Sequence, residues 1–377
     1  MLKTMFPGLG LESSALGFGC MRFPTNEDKT IDEAQAIAML RHAIDSGVTY
    51  IDTAYPYHGG QSEIVVGKAL RDGYRDRVIL ATKCPMWDVK THEDMMRLLD
   101  EQLAKLQTDH VDFYLLHAMN KERLELARRV DYKSFFAQAL AEGKIRYPAF
   151  SFHDDAETFL EVLNDYDGWK MCQVQMNLLD DEAQATMAGI REAGRKGVGV
   201  VVMEPLRGGL LSSPPQEIAD IYARQPGQKR SPVEWAFRYL YTQPEVVTIL
   251  SGMSTPEQLE DNLDIFSRAD REPLTEEENV LFRRVKQAYL DRTKIRCTGC
   301  RYCQPCPMEV HIPDIFRRYD DALMFGRGFE RAYQQLEGEG HGPTRCVGCG
   351  KCERACPQHL PIISLLKDIR LEQGAEK

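Results

Sequence analysis

The sequence predicts an α/β protein, a (β/α)8 TIM barrel followed by a small, mainly helical domain that carries two runs of cysteines. Three observations predict it. Between about residues 15 and 262, eight short apolar runs alternate with longer segments of helical period, the rhythm of a parallel sheet. Several runs are apolar nearly throughout, as parallel strands covered on both faces are. Eight of the eleven cysteines fall in the last quarter of the chain, four in each of two runs. A barrel takes about 250 residues, so a chain of 377 has room for one barrel and an appendage. The division is placed at residues 1–290 and 291–377.

The predicted strands are residues 15–20, 48–52, 78–83, 111–117, 145–151, 171–175, 198–204 and 246–252. Eight such units imply a closed barrel. The alternative is an open doubly wound sheet, which wants a Gly-rich phosphate loop after its first strand; Gly17, Phe18 and Gly19 supply only a piece of one. Helix starts are signalled by Thr30 with Glu33, by Ser231 with Pro232 and Glu234, and by Thr255 with Pro256 and Gln258. Each pairs an N-cap hydroxyl with a Glu or Gln three residues on, which can satisfy two orphan backbone donors reciprocally. Beyond the barrel, residues 275–291 continue as helix, and residues 314–337, with Ile315, Phe316, Tyr319 and Leu323, read as a helical spacer between the cysteine runs.

Hydrophobic residues make up 43% and charged residues 28% of the chain, the balance of a globular enzyme. A net charge of -10 and a pI near 5.5 disfavour a nucleic-acid partner, whose phosphates demand Lys and Arg. Residues 1–21 hold one lysine and no sustained apolar segment. No later stretch approaches the roughly 18 apolar residues of a membrane helix. The expectation is a cytoplasmic protein with no membrane partner.

In a reducing compartment, clustered cysteines are better read as metal ligands than as disulfides. Cys20, Cys84 and Cys172 are scattered and read as small buried hydrophobes. The first run is Cys297, Cys300, Cys303 and Cys306, followed by Pro307; the second is Cys346, Cys349, Cys352 and Cys356, followed by Pro357. The second fits the bacterial C-x2-C-x2-C-x3-C-P ferredoxin pattern at every position, in which the fourth cysteine reaches the other cluster. The expectation is two [4Fe-4S] clusters, one held by Cys297, Cys300, Cys303 and Cys356 and the other by Cys346, Cys349, Cys352 and Cys306. In the first run the gap from Cys303 to Cys306 is two residues, not three, the one departure from the pattern. Structural zinc is the rival, but it is usually built from two separated C-x2-C pairs.

Barrel chemistry sits at the C-terminal ends of the strands, and those ends are unusually polar. Asp52, Lys83, His117, Ser151, Gln173, Gln175 and Glu204 close successive strands, and Tyr57 follows Asp52 in its loop. Taken singly each has a plain structural reading. Together, Asp52, Tyr57, Lys83 and His117 make a usable acid: an ammonium near the phenol would lower its pKa from about 10, and a carboxylate would hold that ammonium charged and in place.

Ile51-Asp52-Thr53-Ala54 with Tyr57 and Ser62-Glu63, then Ala81-Thr82-Lys83, then Asp112-Phe113-Tyr114-Leu115-Leu116-His117 resemble the aldo-keto reductase family. The match covers roughly residues 12 to 265 in motif order. With the cysteine runs, the whole chain resembles the members that carry a C-terminal ferredoxin-type domain. The resemblance implies reduction of an aldehyde or ketone by NADH or NADPH, or the reverse. Tyr57 would be the general acid, tuned by Lys83 and Asp52, with His117 orienting the carbonyl oxygen. The same carry-over places Asp52, Ser151, Gln173 and Met203 around the nicotinamide. Leu206, Gly208, Gly209, Gly252, Gln258 and Asn262 would lie near the cofactor phosphates. Two departures stand out. Met203 occupies the position where many members stack a tyrosine. Gly252 and Gln258 stand where NADPH-selective members place Lys and Arg, which implies that NADH is accepted. Met86 and Trp87 are expected over the barrel mouth, and Arg22 reads as a solvated arginine or a steering group for an acidic substrate.

The partner implied is a small carbonyl or alcohol substrate. A second function class is an electron-transfer protein whose clusters serve a redox partner, with the barrel as a docking or nicotinamide-binding module. A third makes the clusters structural. Nicotinamide moves two electrons as hydride and each cluster moves one, and the sequence shows no independent flavin motif to split the pair.

Overall fold

The computed structural model describes residues 1–227 and 229–374. Eight parallel strands close a barrel: β3 (Leu16–Gly19), β4 (Tyr50–Asp52), β5 (Ile79–Cys84), β6 (Val111–Met119), β7 (Ile145–Phe152), β8 (Met171–Gln175), β9 (Gly199–Met203) and β10 (Val246–Ser251). Each lies on one of the eight predicted runs, and β10 pairs with β3, which excludes the open sheet. Ahead of them β1 (Lys3–Phe6) and β2 (Leu11–Ser14) form an antiparallel hairpin that strand periodicity did not reveal. Its Phe6 is 1% exposed, and its ring sits 4.7 Å from that of Phe113. A Cβ added at Gly199 would meet Phe6 at 2.7 Å. Phe6 thus joins Tyr50, Ile79, Phe113, Met171 and Val201 in the barrel interior, and the hairpin closes the N-terminal end. The chemistry is left to the other end.

Several helix starts are capped by side chains, with two changes from the sequence reading. The helix Glu33–Asp45 is capped by Asp32, whose carboxylate accepts from Gln35 N. Thr30 instead turns back on Asp28, donating to its carboxylate at 2.6 Å. Thr255 does cap the helix Pro256–Ser267, accepting from Gln258 N, but Gln258 Oε1 accepts from Ser254 N rather than from Thr255. A full reciprocal box forms at Thr91 and Asp94, which open the helix His92–Leu106.

The chain divides into two compact units, Met1–Ser212 with Val233–Thr275, and Ser213–Pro232 with Glu276 onward. It therefore passes between units three times, where the sequence suggests one passage near residue 290. In the second unit, the helical spacer is two helices, Ile312–Phe325 and Glu330–Gly338, parted at Gly326, whose φ of +61° ends the first. Val310, Ile315, Phe316, Phe329, Leu336, Leu366 and Cys356 share one core. The entry to the first cysteine run is pinned by Asp320, a buried carboxylate that accepts from Lys294 N, Ile295 N and Arg296 N at 2.9, 3.1 and 2.8 Å. Among the described residues no helix is long and apolar enough to cross a membrane.

Candidate functional site

Asp52 is the last residue of β4 and Lys83 lies near the end of β5. Lys83, fully buried, spends its three protons on three acceptors: Asp52 Oδ1 at 2.6 Å, Thr53 O at 2.8 Å and Tyr57 Oη at 3.4 Å. Because the ammonium donates to the phenol oxygen, the phenol proton stays free to be donated elsewhere. Tyr57 sits in the tight turn Tyr57–Gly60 that follows β4. Its ring meets that of His117 edge-on, centroids 6.2 Å apart. The four mouth residues predicted from sequence are thus brought together.

His117 owes its aim to a β-bulge. The β6–β7 register slips between Leu116 and Met119, and Ala118 takes a φ of +53°. Such an insertion bends a strand and redirects a side chain. The displaced Ala118 N–H is satisfied by Ser151 Oγ at 2.7 Å. Ser151 therefore closes the bulge while its own hydroxyl proton remains available. Gln173, buried beside it in register on β8, has an Oε1 with no hydrogen-bond partner among the described residues, as has Asp52 Oδ2. Met203 ends β9 opposite Gln175 and packs on the barrel interior.

The electrostatics differ from the sequence expectation at Tyr57. Burial raises its pKa above the ordinary tyrosine value, and the neighbouring Lys83 only partly opposes this. The phenol is kept protonated, the state a proton donor needs. Burial works against the Lys83 ammonium, but Asp52 and Tyr57 more than offset it and its pKa stands above the usual lysine value. Burial and then Lys83 push His117 down to about 2, so its imidazole is neutral, with a buried Nδ1 that has no partner among the described residues.

Leu206, Gly208, Gly209, Gly252, Gln258 and Asn262 line one cleft beside the mouth, together with Arg22, Glu204 and Ser254. Asp52, Ser151, Gln173 and Met203 are not on its wall. The loop after β9 turns through successive left-handed residues, Arg207, Gly208 and Gly209, with φ of +48°, +66° and +91°, conformations in which glycine lets backbone approach a ligand closely. Asn262 donates to Ser251 Oγ at 2.9 Å. Arg22 is the residue that sequence reasoning left outside. Its side chain lies across Gly252, where an added Cβ would sit 3.0 Å from Arg22 Cδ. Its guanidinium is 3.9 Å from Glu204, and its carbonyl accepts from Ser254 Oγ. A bulky residue at position 252 would displace it. Glycine there and arginine at position 22 are one arrangement, visible only when the ends of β3 and β10 are seen side by side.

In the second unit, Cys297, Cys300, Cys303 and Cys356 line one cavity with Phe316, Leu360 and Ile362. Cys306, Cys346, Cys349 and Cys352 line another with Val310, Val347 and Leu366, and Cys303 reaches its wall as well. Among the described residues no three His, Cys, Asp or Glu side chains gather tightly enough for a single metal ion. Both runs turn at an equivalent glycine, Gly299 and Gly348, with φ of +70° and +66°. The Gly299 N–H points at Cys297 Sγ, 3.5 Å away.

The model of the Aldo/keto reductase family matches residues 15–280, and that of the 4Fe-4S dicluster domain matches residues 296–360. The uncharacterized oxidoreductase YqkF of Bacillus subtilis is 27% identical over 311 residues, 74% of this chain and 94% of that protein. Among solved structures, the holo form of aldo-keto reductase AKR11C1 from Bacillus halodurans superposes with a TM-score of 0.63 at 26% identity, covering 76% of this chain and 96% of that one. An aldo-keto reductase from Klebsiella pneumoniae, solved in complex with NADPH, gives a TM-score of 0.62 at 27% identity over the same shares.

Proposed function

Since the chain belongs to the aldo/keto reductase family, we propose that it is an NAD(P)H-dependent carbonyl reductase whose second unit carries two [4Fe-4S] clusters. The observation that supports this most is the bonding of Lys83, which holds Tyr57 by its oxygen and leaves the phenol proton to give. Tyr57 donates that proton to the substrate oxygen, and Lys83 then stabilises the phenolate left behind. Neutral His117 positions the oxygen without competing as an acid. A reduced nicotinamide, when bound, supplies the hydride, so one hydride and one proton convert the carbonyl to an alcohol. Asp52, Ser151, Gln173 and Met203 would hold the nicotinamide end, and the cleft from Leu206 to Asn262 the phosphates. Ser151 and Gln173 fit a carboxamide, since one keeps a hydroxyl proton and the other an unpartnered buried oxygen.

An anaerobic screen of aldehydes and ketones, followed by nicotinamide absorbance, tests the reading; no substrate at all would end it. The kcat/KM for reduction is expected to stay level across neutral pH. Tyr57 serves in its protonated form and its pKa is raised, so activity is lost only as pH rises through the shifted value, above the tyrosine norm of about 10. His117, pushed down to about 2, adds no limb near pH 6. A pH profile that turns at 6 to 7 would contradict this assignment.

With Gly252 and Gln258 in place of cations, NADH and NADPH are both used, with kcat/KM values within a hundredfold of each other. Among the described residues lining the cleft, Arg22 is the cation, placed to meet a phosphate that both nucleotides share. Arg22→Ala is expected to raise the KM of both about tenfold, the effect of one charge-assisted bond. Loss for NADPH alone would move Arg22 to the 2′-phosphate.

In the second unit the residues fit two cubane clusters, because the eight thiols stand around two apolar-walled cavities, four on one and the other four on the second, with Cys303 reaching both. A bound cluster supplies one-electron transfer. The competing reading, electron transfer to a redox partner, draws support from the exposure of Cys300 and Cys349, one on each cavity wall. Bleaching of cluster absorbance by NADH or NADPH alone would favour it; reduction by dithionite only would not.

A further inference from the structure

We infer that the carbonyl substrate carries a carboxylate, separated from the carbonyl by a short apolar spacer, and that Arg123 binds it. The inference rests on the reductase reading and deepens it. Arg123 stands in the first turn of the helix Lys121–Arg129, which begins immediately after β6 and its His117 bulge. Its guanidinium is held from behind by a hydrogen bond from Nη1 to Ala118 O. In front it lies 5.5 Å from the ring centroid of Trp87, whose own ring is 5.0 Å from that of His117. Trp87 is 46% exposed, an apolar floor between the cation and the imidazole.

Arg123 is half-buried, yet among the described residues no carboxylate lies within ion-pair distance of it. Its helix neighbour Arg128 is paired with Glu125, Glu161 and Asp165, and Lys121 is paired with Glu161. Arg123, which lies beside the mouth, has no such acid among the described residues. Its positive charge is felt by both His117 and His153, which burial keeps neutral, while Lys83 is committed to Asp52. Among the described residues, Arg123 is thus a cation at this rim with no carboxylate paired to it. A planar fork with donors to spare suits a carboxylate.

The test compares unbranched oxo acids with the alkanals of equal length, 4-oxobutanoate against butanal and 5-oxopentanoate against pentanal, with NADPH. The expected result is a kcat/KM at least tenfold higher for the acids, carried mainly by KM. Arg123→Gln should bring the ratio to about one by raising KM for the acids, and Arg123→Lys should recover part of it. Wild-type protein that reduces the alkanals as well as the acids, or an Arg123→Gln variant with an unchanged ratio, overturns the inference and leaves the reductase reading standing. Failure of every acid and every alkanal to oxidise NADPH overturns the inference, and the reductase reading falls with it only if the wider screen of aldehydes and ketones also yields no substrate.

Discussion

Tyr57→Phe is expected to lower kcat for carbonyl reduction by about 10² to 10⁴-fold, the range of a lost general acid, with little change in nucleotide affinity. The substitution removes one oxygen whose hydrogen-bond partner among the described residues is Lys83, at 3.4 Å. Lys83 keeps Asp52 and Thr53, so the buried charge pair survives and the variant should fold. Lys83→Met is the less informative change. It strands the Asp52 carboxylate, 2% exposed, without its cation, and breaking a buried pair in this way costs about 3 to 5 kcal/mol of stability. Single-turnover NADPH oxidation by Tyr57→Phe, with bound nucleotide measured by fluorescence, separates chemistry from binding. An unchanged rate would remove Tyr57 from the acid role.

The second large effect is expected in the cysteine-bearing unit. Cys356→Ser should lower iron and acid-labile sulfide from about eight to about four per chain, because one of two four-iron clusters loses a ligand. Cys356 is the most deeply buried of the eight thiols, 9% exposed and part of the hydrophobic core with Phe316, Leu336 and Leu366. It follows Cys352 in sequence yet lines the cavity of Cys297, Cys300 and Cys303. The cluster lost should therefore be that of the first run, and Cys306→Ser should remove the other. Since ligand binding to such a site is coupled to folding, chelation of iron should abolish the thermal transition of this unit while the barrel's transition persists. A full iron complement in Cys356→Ser, or iron replaced by zinc in the wild-type protein, would refute the two-cluster assignment.

The barrel was readable because its strands are apolar on both faces: Val78 to Ala81 and Val200 to Val202 leave no other reading at their length. The hairpin of β1 and β2 was not, since Lys3 to Phe6 alternates over only four residues and its purpose, placing Phe6 in the barrel floor, depends on contacts far along the chain. The residue types at the mouth were legible as strand ends. What they do to one another was not: at Tyr57 burial raises the pKa and Lys83 only partly opposes it, a balance that depends on how the mouth packs. Ser151 shows the same limit, since the bulge it satisfies exists only once β6 and β7 are paired. Arg22 was noticed as a strand-end cation but not placed at the cleft, and Arg123 carried no local signal. A lone arginine after a strand looks solvated until the glycine beneath it or the missing acid beside it can be seen.

Hydride and a proton are expected to reach a carbonyl in this barrel without passing through the clusters. This is tested most directly by anaerobic incubation with NADPH deuterated on the transferring face of C4, together with an aldehyde that the protein reduces. The expected result is one deuterium on the carbinol carbon for each NADPH consumed, with cluster absorbance unchanged. Oxidation of NADPH with bleached clusters and no deuterated alcohol would contradict it.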